Sequence, residues 1–224
     1  MACDFCNTGR IGFRGNLGTD EILNQVGSVM DRESITHVVF MGMGEPLDNY
    51  DSVMKSLHIL TAQWGFAFSP RNITVSTIGL KPYLDEFLKD TRCNLAVSVH
   101  TPFEGERESF IPASAKYTIR ELIDLAGSYQ WEKNRRVTFQ YTMIKGINDT
   151  DRHLSELVKL LKGTQVRVNI MSYHPHEGSM MCSSSYEIQW HFKHQLIQNG
   201  ISASIRKSRG QDIGAACGLL GKSR

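Results

Sequence analysis

Cys3 and Cys6 stand three residues apart among glycines in the stretch ACDFCNTGRIGFRGN. Thiolates at that spacing serve redox sites, zinc ribbons and iron–sulfur clusters, and a C-x-x-C pair also arises by chance, so the pair alone leaves the chemistry open. The five cysteines, Cys3, Cys6, Cys93, Cys182 and Cys217, are odd in number and scattered, a poor disulfide framework that fits a reducing cytoplasm better. Polar side chains also fall at the ends of apolar runs: Gly44-Glu45, Ser76-Thr77, Ser98 with His100, and Tyr173-His174. A carboxylate, hydroxyls and imidazoles gathered at strand ends can hold a polar ligand. His174, His176 and Glu177 form an H-x-H-E string, which without further spaced ligands reads as a polar loop rather than a metal site.

These residues need elements that bring strand ends together. The runs THVVFMGMG (36–44), NITVSTIG (72–79), NLAVSVH (94–100), RVTFQYTMI (136–144) and VRVNIMSY (166–173) are short and β-branched. They are nearly continuous in hydrophobicity, as expected of parallel strands covered on both faces. Helical patterns near 19–31, 50–64, 80–89, 117–131 and 150–162 lie between them, with Thr19, Thr118 and Asp151 as start signals. A last helix, about 184–199, stops at Asn199-Gly200, and ISASIRKS follows as a further short strand. Strict βα alternation predicts a parallel α/β sheet, open or curled towards a barrel, with ligands at the carboxyl ends of its strands. No repeat or linker stands out, so one domain over residues 1–224 is expected.

Charge and hydropathy exclude some classes. A net charge of +2 is too small to announce a nucleic-acid partner. Its distribution is more informative: Arg206, Lys207, Arg209, Lys222 and Arg224 face the single acid Asp212, a basic tail that can contact phosphates or simply stay solvated. No apolar run approaches the ~20 residues needed to span a bilayer, and no charged-then-apolar leader is seen. A cytoplasmic protein without a membrane partner is expected.

Five motifs in order carry a more specific signal: CDFCNTGRIGFRGNL, FMGMGEPLDNY, TVSTIGL, LAVSVHTPFEGERESFIP and RKSRGQDIGAACGLL. Together they resemble the RlmN/Cfr family of radical S-adenosylmethionine methyltransferases, which act on adenosine in ribosomal RNA. The resemblance runs over 1–221 and implies a partial (βα)6 barrel, a [4Fe–4S] cluster and S-adenosylmethionine. It implies that Cys3 and Cys6 are two of three cluster thiolates, with iron favouring sulfur donors. Gly44 and Glu45 match the segment that bonds the methionine amino group of the cofactor, Ser76 a contacting serine, and Ser98, Val99 and His100 a segment reaching its carboxylate and ribose. His174 stands where an asparagine is usual near the adenine or ribose, and can still offer one hydrogen bond. Cys217, in the loop of a C-terminal region spanning 201–221, matches a cysteine that carries the transferred methyl group. Cys93 and Cys182 match no such position and are read as structural.

The reaction implied is a two-stage one. Adenosine carbon-2 is not nucleophilic, so one S-adenosylmethionine first methylates the matching cysteine. A second is cleaved to a 5′-deoxyadenosyl radical that abstracts hydrogen from the S-methyl group, and the carbon radical adds to the base. Ribosomal RNA, and transfer RNA as a second target, are the implied substrates of a monomer served by an electron donor such as flavodoxin or ferredoxin.

The family motif is C-x-x-x-C-x-x-C, and its first cysteine would fall before Met1. The segment 3–16 reads as a loop of the kind that follows a strand, so the first strand is read as missing too. A fragment of a longer enzyme is the favoured expectation over a short relative that has lost its cluster. Two alternatives of function stay open: an inert fragment with weak cofactor or RNA binding, and a zinc-dependent C-x-x-C binding module.

Overall fold

The computed structural model describes residues 1, 3–113, 116–128, 135, 137–176, 178–210, 212–214, 216 and 218–220. Its strands are β1 (Val38–Phe40), β2 (Ile73–Thr77), β3 (Asn94–Ser98), β4 (Val137–Met143), β5 (Arg167–Ser172) and β6 (Ser202–Ile205). All neighbours pair in parallel in the order β1-β2-β3-β4-β5-β6, with Val75 opposite Leu95, Val97 opposite Phe139 and Ile170 opposite Ile205. Each strand is laid beside the one before it, so right-handed crossovers put every connecting helix on the same side and the sheet curls around the other. The curl brings the far edges together: the Arg206 guanidinium, just past β6, lies 2.8 Å from the Met41 sulfur, just past β1. Among the described residues no strand precedes β1, and no helix is long and apolar enough to cross a membrane.

The expectation of strands covered on both faces needs correction. Burial alternates along β2, where Ile73, Val75 and Thr77 are buried and Thr74 and Ser76 only partly so. The apolar set packs against helices in one cluster: Ile73, Val75, Leu95, Val97, Phe139, Val168 and Ile170 share it with Leu57, Leu84, Leu122, Leu157 and Phe192. The opposite set, including Thr74, Asn94, Thr138, Arg167, Asn169 and Ser204, lines an interior cavity of about 440 Å³. Runs such as NITVSTIG look continuous because Thr and Ser pass as β-formers; their hydroxyls are the polar face of a period-2 pattern.

The helices are α1 (Asn7–Ile11), α2 (Thr19–Gly27), α3 (Tyr50–Thr61), α4 (Tyr83–Asp90), α5 (Glu104–Phe110), α6 (Ile119–Ser128), α7 (Asp151–Leu161) and α8 (Tyr186–Gln198). Helical spacing sets the buried faces, as in α3 with Val53, Ser56, Leu57 and Leu60 and in α7 with His153, Leu154, Leu157 and Leu161. Caps set several ends. Thr118 and Glu121 bond each other's backbone N–H reciprocally before α6, and Ser185 Oγ accepts from Ile188 N–H at the start of α8. At α2 the cap is Gly18 rather than Thr19: Glu21 reaches back 2.7 Å to the Gly18 N–H. Gly200, at φ +81°, ends α8 as expected. Two helices escaped the pattern reading, α1 and α5, each under two turns and rich in polar residues. Strand β1 is shorter than the run 36–44 because the chain turns off through Gly42 to Gly44, the latter at φ +80°.

Candidate functional site

The sequence candidates collect at the carboxyl ends of the strands. Glu45, after β1, is buried, with both carboxylate oxygens in use: Oε1 accepts from Leu47 N–H at 3.1 Å and Oε2 from Ile78 N–H at 2.8 Å. Pro46 starts the short 3-10 turn that Glu45 caps, so the carboxylate ties the exit of β1 to the exit of β2. Burial raises its pKa, opposed by hydrogen bonds from Thr77, Ile78 and Leu47. A carboxylate oxygen with one N–H bond keeps a lone pair for a cationic donor.

Next to it lies the cysteine turn. Cys6 N–H donates to Cys3 O at 3.1 Å, closing Cys3-Asp4-Phe5-Cys6 into a β-turn, and Asp4 N–H donates to Phe110 O at 3.2 Å. Burial, then the neighbouring Cys6, push the Cys3 thiol up to about 11, with the Glu45 charge adding to the rise. The Phe5 ring meets the His100 ring at 4.7 Å, edge to face, and so fixes the turn against the exit of β3.

His100 is the most constrained of the candidates. It is buried and non-glycine at φ +62°, a left-handed conformation that the surroundings must enforce. Its N–H and that of Val99 both donate to Gln140 O at 3.1 Å. Its carbonyl accepts from Asn148 Nδ2 at 2.7 Å, and its Nδ1 accepts from Thr142 N–H at 3.0 Å. That last bond leaves the ring proton on Nε2. Burial, reinforced by the Arg107 charge, lowers its pKa to about 3, so the ring is neutral at physiological pH.

The inner face continues the set. Ser76 Oγ donates to Gln140 Oε1 at 3.3 Å, and Ser98, half-buried, gives its carbonyl to an Arg107 donor at 3.3 Å. His174, after β5, is buried and shares a 2.6 Å hydrogen bond between its Nε2 and Ser208 Oγ, linking the segments that follow β5 and β6. Burial lowers its pKa.

Cys217 lies outside the described residues, as does Glu177 of the H-x-H-E string. The neighbours of position 217 are described. Ala216 is buried, Asn7 N–H donates to Gly218 O at 3.0 Å, and Thr8 Oγ1 donates to Leu220 O at 2.7 Å. The C-terminal segment is therefore bonded directly to α1, immediately after Cys6. Cys93 is buried, as expected of a structural residue, whereas Cys182 is exposed.

The donor set can be tested against an iron–sulfur cluster. The two thiols share one turn beside a carboxylate and an open polar interior, which suits thiophilic iron in kind and position. Among the described residues no group of three or more His, Cys, Asp or Glu converges. The described residues thus fit two cluster corners, and a second cysteine pair of the kind a zinc module needs is not among them.

Three residues that sequence patterns passed over organise this site: Gln140, Asn148 and Arg107. Asn148 is wholly buried, bonding the His100 and Thr142 carbonyls through Nδ2 and the Ile144 N–H through Oδ1. None of the three was singled out from the sequence, although Arg107 lies inside the motif LAVSVHTPFEGERESFIP.

Six parallel strands in sequential order, curled around a polar interior with a cysteine turn at the carboxyl mouth, define a partial α/β barrel of the radical S-adenosylmethionine type. The chain belongs to the Radical SAM superfamily, whose profile it matches over residues 1–161. It is 43% identical over 224 residues to a probable dual-specificity RNA methyltransferase RlmN from Bacteroides fragilis, covering 100% of this chain and 65% of that one. A protein of the same description from Phocaeicola vulgatus is 45% identical, with 100% and 64% covered. A solved radical SAM methyltransferase from Sphaerobacter thermophilus superposes with a TM-score of 0.90 at 40% identity, over 97% of this chain and 66% of its own. Streptococcus suis SuiB, at 15% identity and a TM-score of 0.62, shares the fold. The chain spans about 65% of the length of the curated relatives it matches.

Proposed function

We propose that residues 1–224 are the catalytic core of a cytoplasmic RNA methyltransferase that uses a [4Fe–4S] cluster and S-adenosylmethionine. Its target is an adenosine carbon, C2, of ribosomal RNA and also of transfer RNA. The observation that carries this reading is the pair of bonds from Asn7 and Thr8 to Gly218 and Leu220, which tie the segment around position 217 to the cysteine turn. A methyl carrier must meet both the cofactor and the base, and bonds that hold its loop to the cofactor side meet that need.

In this reading Cys3 and Cys6 hold two corners of the cluster. Glu45 accepts hydrogens from the amino group of S-adenosylmethionine, its carboxylate already aimed by Leu47 and Ile78. Ser76, Ser98, Val99, His100 and His174 bind and orient the rest of that molecule across the mouth of the barrel. His100 stays neutral there, so its Nε2–H is a fixed donor. When bound, the cluster supplies the electron that starts radical chemistry, and a flavodoxin- or ferredoxin-type partner renews it. Cys217 accepts the methyl group and passes its carbon on to the base. Arg206, Lys207 and Arg209, all exposed, steer the RNA backbone, and the protein acts as a monomer.

Peptide mass spectrometry after incubation with methyl-labelled S-adenosylmethionine, in the anaerobically reconstituted protein, tests the carrier. One methyl group on the peptide containing Cys217, absent from Cys217→Ala, is expected. An unlabelled Cys217 peptide under saturating cofactor would overturn the assignment.

A further inference from the structure

Arg107 heads the largest side chains that are fully buried, at 0% exposure, although it carries a charge. It sits on α5, between Glu106 and Glu108 in the charged string EGERES. Burial of an arginine is unfavourable unless each donor finds an acceptor, and an apolar side chain of similar size often serves stability as well or better. The guanidinium here is arranged for something other than its own comfort. Nη1 donates to Tyr117 O at 2.7 Å, while Nη2 donates to Ile78 O at 2.8 Å and to Ser98 O at 3.3 Å. Nε is buried without an acceptor, and Glu104, partly exposed, approaches Nη1 only to 3.6 Å.

The carbonyls it gathers belong to the exits of β2 and β3. Ile78 is held on both sides: its C=O by Arg107 and its N–H by Glu45. Ser98 opens the Ser98-Val99-His100 segment, whose left-handed turn follows at His100. One planar fork therefore spans the two strand exits that present the candidate cofactor contacts, a geometry that guanidinium can supply and a single ammonium cannot.

We infer that Arg107 is a positioning residue of the cofactor site: its buried fork locks the exits of β2 and β3 to each other, so that Glu45 and His100 are in place before a ligand arrives. The inference rests on the cofactor reading given above and on none of its RNA chemistry. Arg135 provides an internal control. It is also a buried arginine that grips carbonyls, with Nε on Cys93 O and Nη1 on Leu88 O, both at 3.1 Å, but at the amino ends of the strands.

The experiment compares Arg107→Lys and Arg135→Lys in the same chain by thermal melting, amide hydrogen exchange and calorimetric titration with S-adenosylmethionine. Both variants are expected to melt earlier. Only Arg107→Lys should speed exchange of the Ile78, Val99 and His100 amides, by about tenfold or more. It should also weaken S-adenosylmethionine binding about tenfold, while Arg135→Lys stays within about twofold of wild type. Should the lysine variant fail to fold, Arg107→Gln, which keeps donors for part of the fork, takes its place. Unchanged exchange at those amides, or loosened loops with unchanged affinity, overturns the inference. Wild-type protein that binds no S-adenosylmethionine counts against the cofactor reading instead, and the exchange comparison still decides whether Arg107 sets the loops.

Discussion

Along β4, Phe139 and Tyr141 point to the helices and are 1% exposed, while Thr138 and Gln140, on the same seven-residue strand, point into the barrel. The outer set is apolar and packed against α-helices on its whole length. The inner set is polar and bonded sideways from strand to strand, as in Ser76 to Gln140 and Ser204 to Asn169, the latter at 2.6 Å. The same backbone thus separates two tasks by parity of residue number. Stability resides on one face, which frees the other to carry groups that a packed core would not accept.

The contrast can be broken most strongly at Phe139. Phe139→Ala should remove roughly 3–5 kcal/mol of stability, because the ring leaves a cavity in the helix-covered layer. Urea denaturation reads the loss, and a change below about 1 kcal/mol would dissolve the distinction between the faces.

Acid should expose the exception, His100, a buried group at the mouth where the two layers meet. Its folded pKa is lowered to about 3, so the unfolded chain binds a proton that the folded one refuses. Its contribution is fully present above the ordinary histidine pKa and is lost as pH falls towards the folded value. That amounts to about 3 kcal/mol between pH 7 and pH 4. His100→Asn should flatten this part of the stability–pH curve. Asparagine tolerates the left-handed backbone, and its amide oxygen can replace Nδ1 as acceptor for Thr142 N–H. An equally steep curve in the variant would assign the acid loss elsewhere.

The smallest effect belongs to the inner face itself. Thr138→Ala should change stability by no more than about 0.5 kcal/mol, since it removes one methyl and one hydroxyl from a wet cavity. A loss comparable to that at Phe139 would mean that the interior is packed rather than solvated.

Much of this architecture was legible. The strand runs, the order of alternation and the stop at Asn199-Gly200 all follow from local pattern and chain chemistry. So did the gathering of Glu45, Ser98 and His100 at strand exits, because parallel topology forces it. What stayed hidden depends on long-range burial. Arg107 and Asn148 look like surface residues in any window of sequence, and only the packing together of segments that follow β2, β3 and β4 makes them interior. The inner face was misread for a related reason: threonine and serine fit a strand equally well whether a helix or water covers them.

The bonds from Asn7 and Thr8 to Gly218 and Leu220 join residues up to 212 positions apart. Contacts of such separation form late, since nearly the whole chain must be ordered before they gain anything. The cysteine turn is thus held from two places in the chain: from mid-sequence by Phe110 O and the His100 ring, and through α1 by Gly218 and Leu220. The two supports differ in when they can form: the first needs only the chain as far as α5, whereas the second waits for segments more than two hundred positions apart to meet, so the turn is anchored early and its α1 flank is closed late.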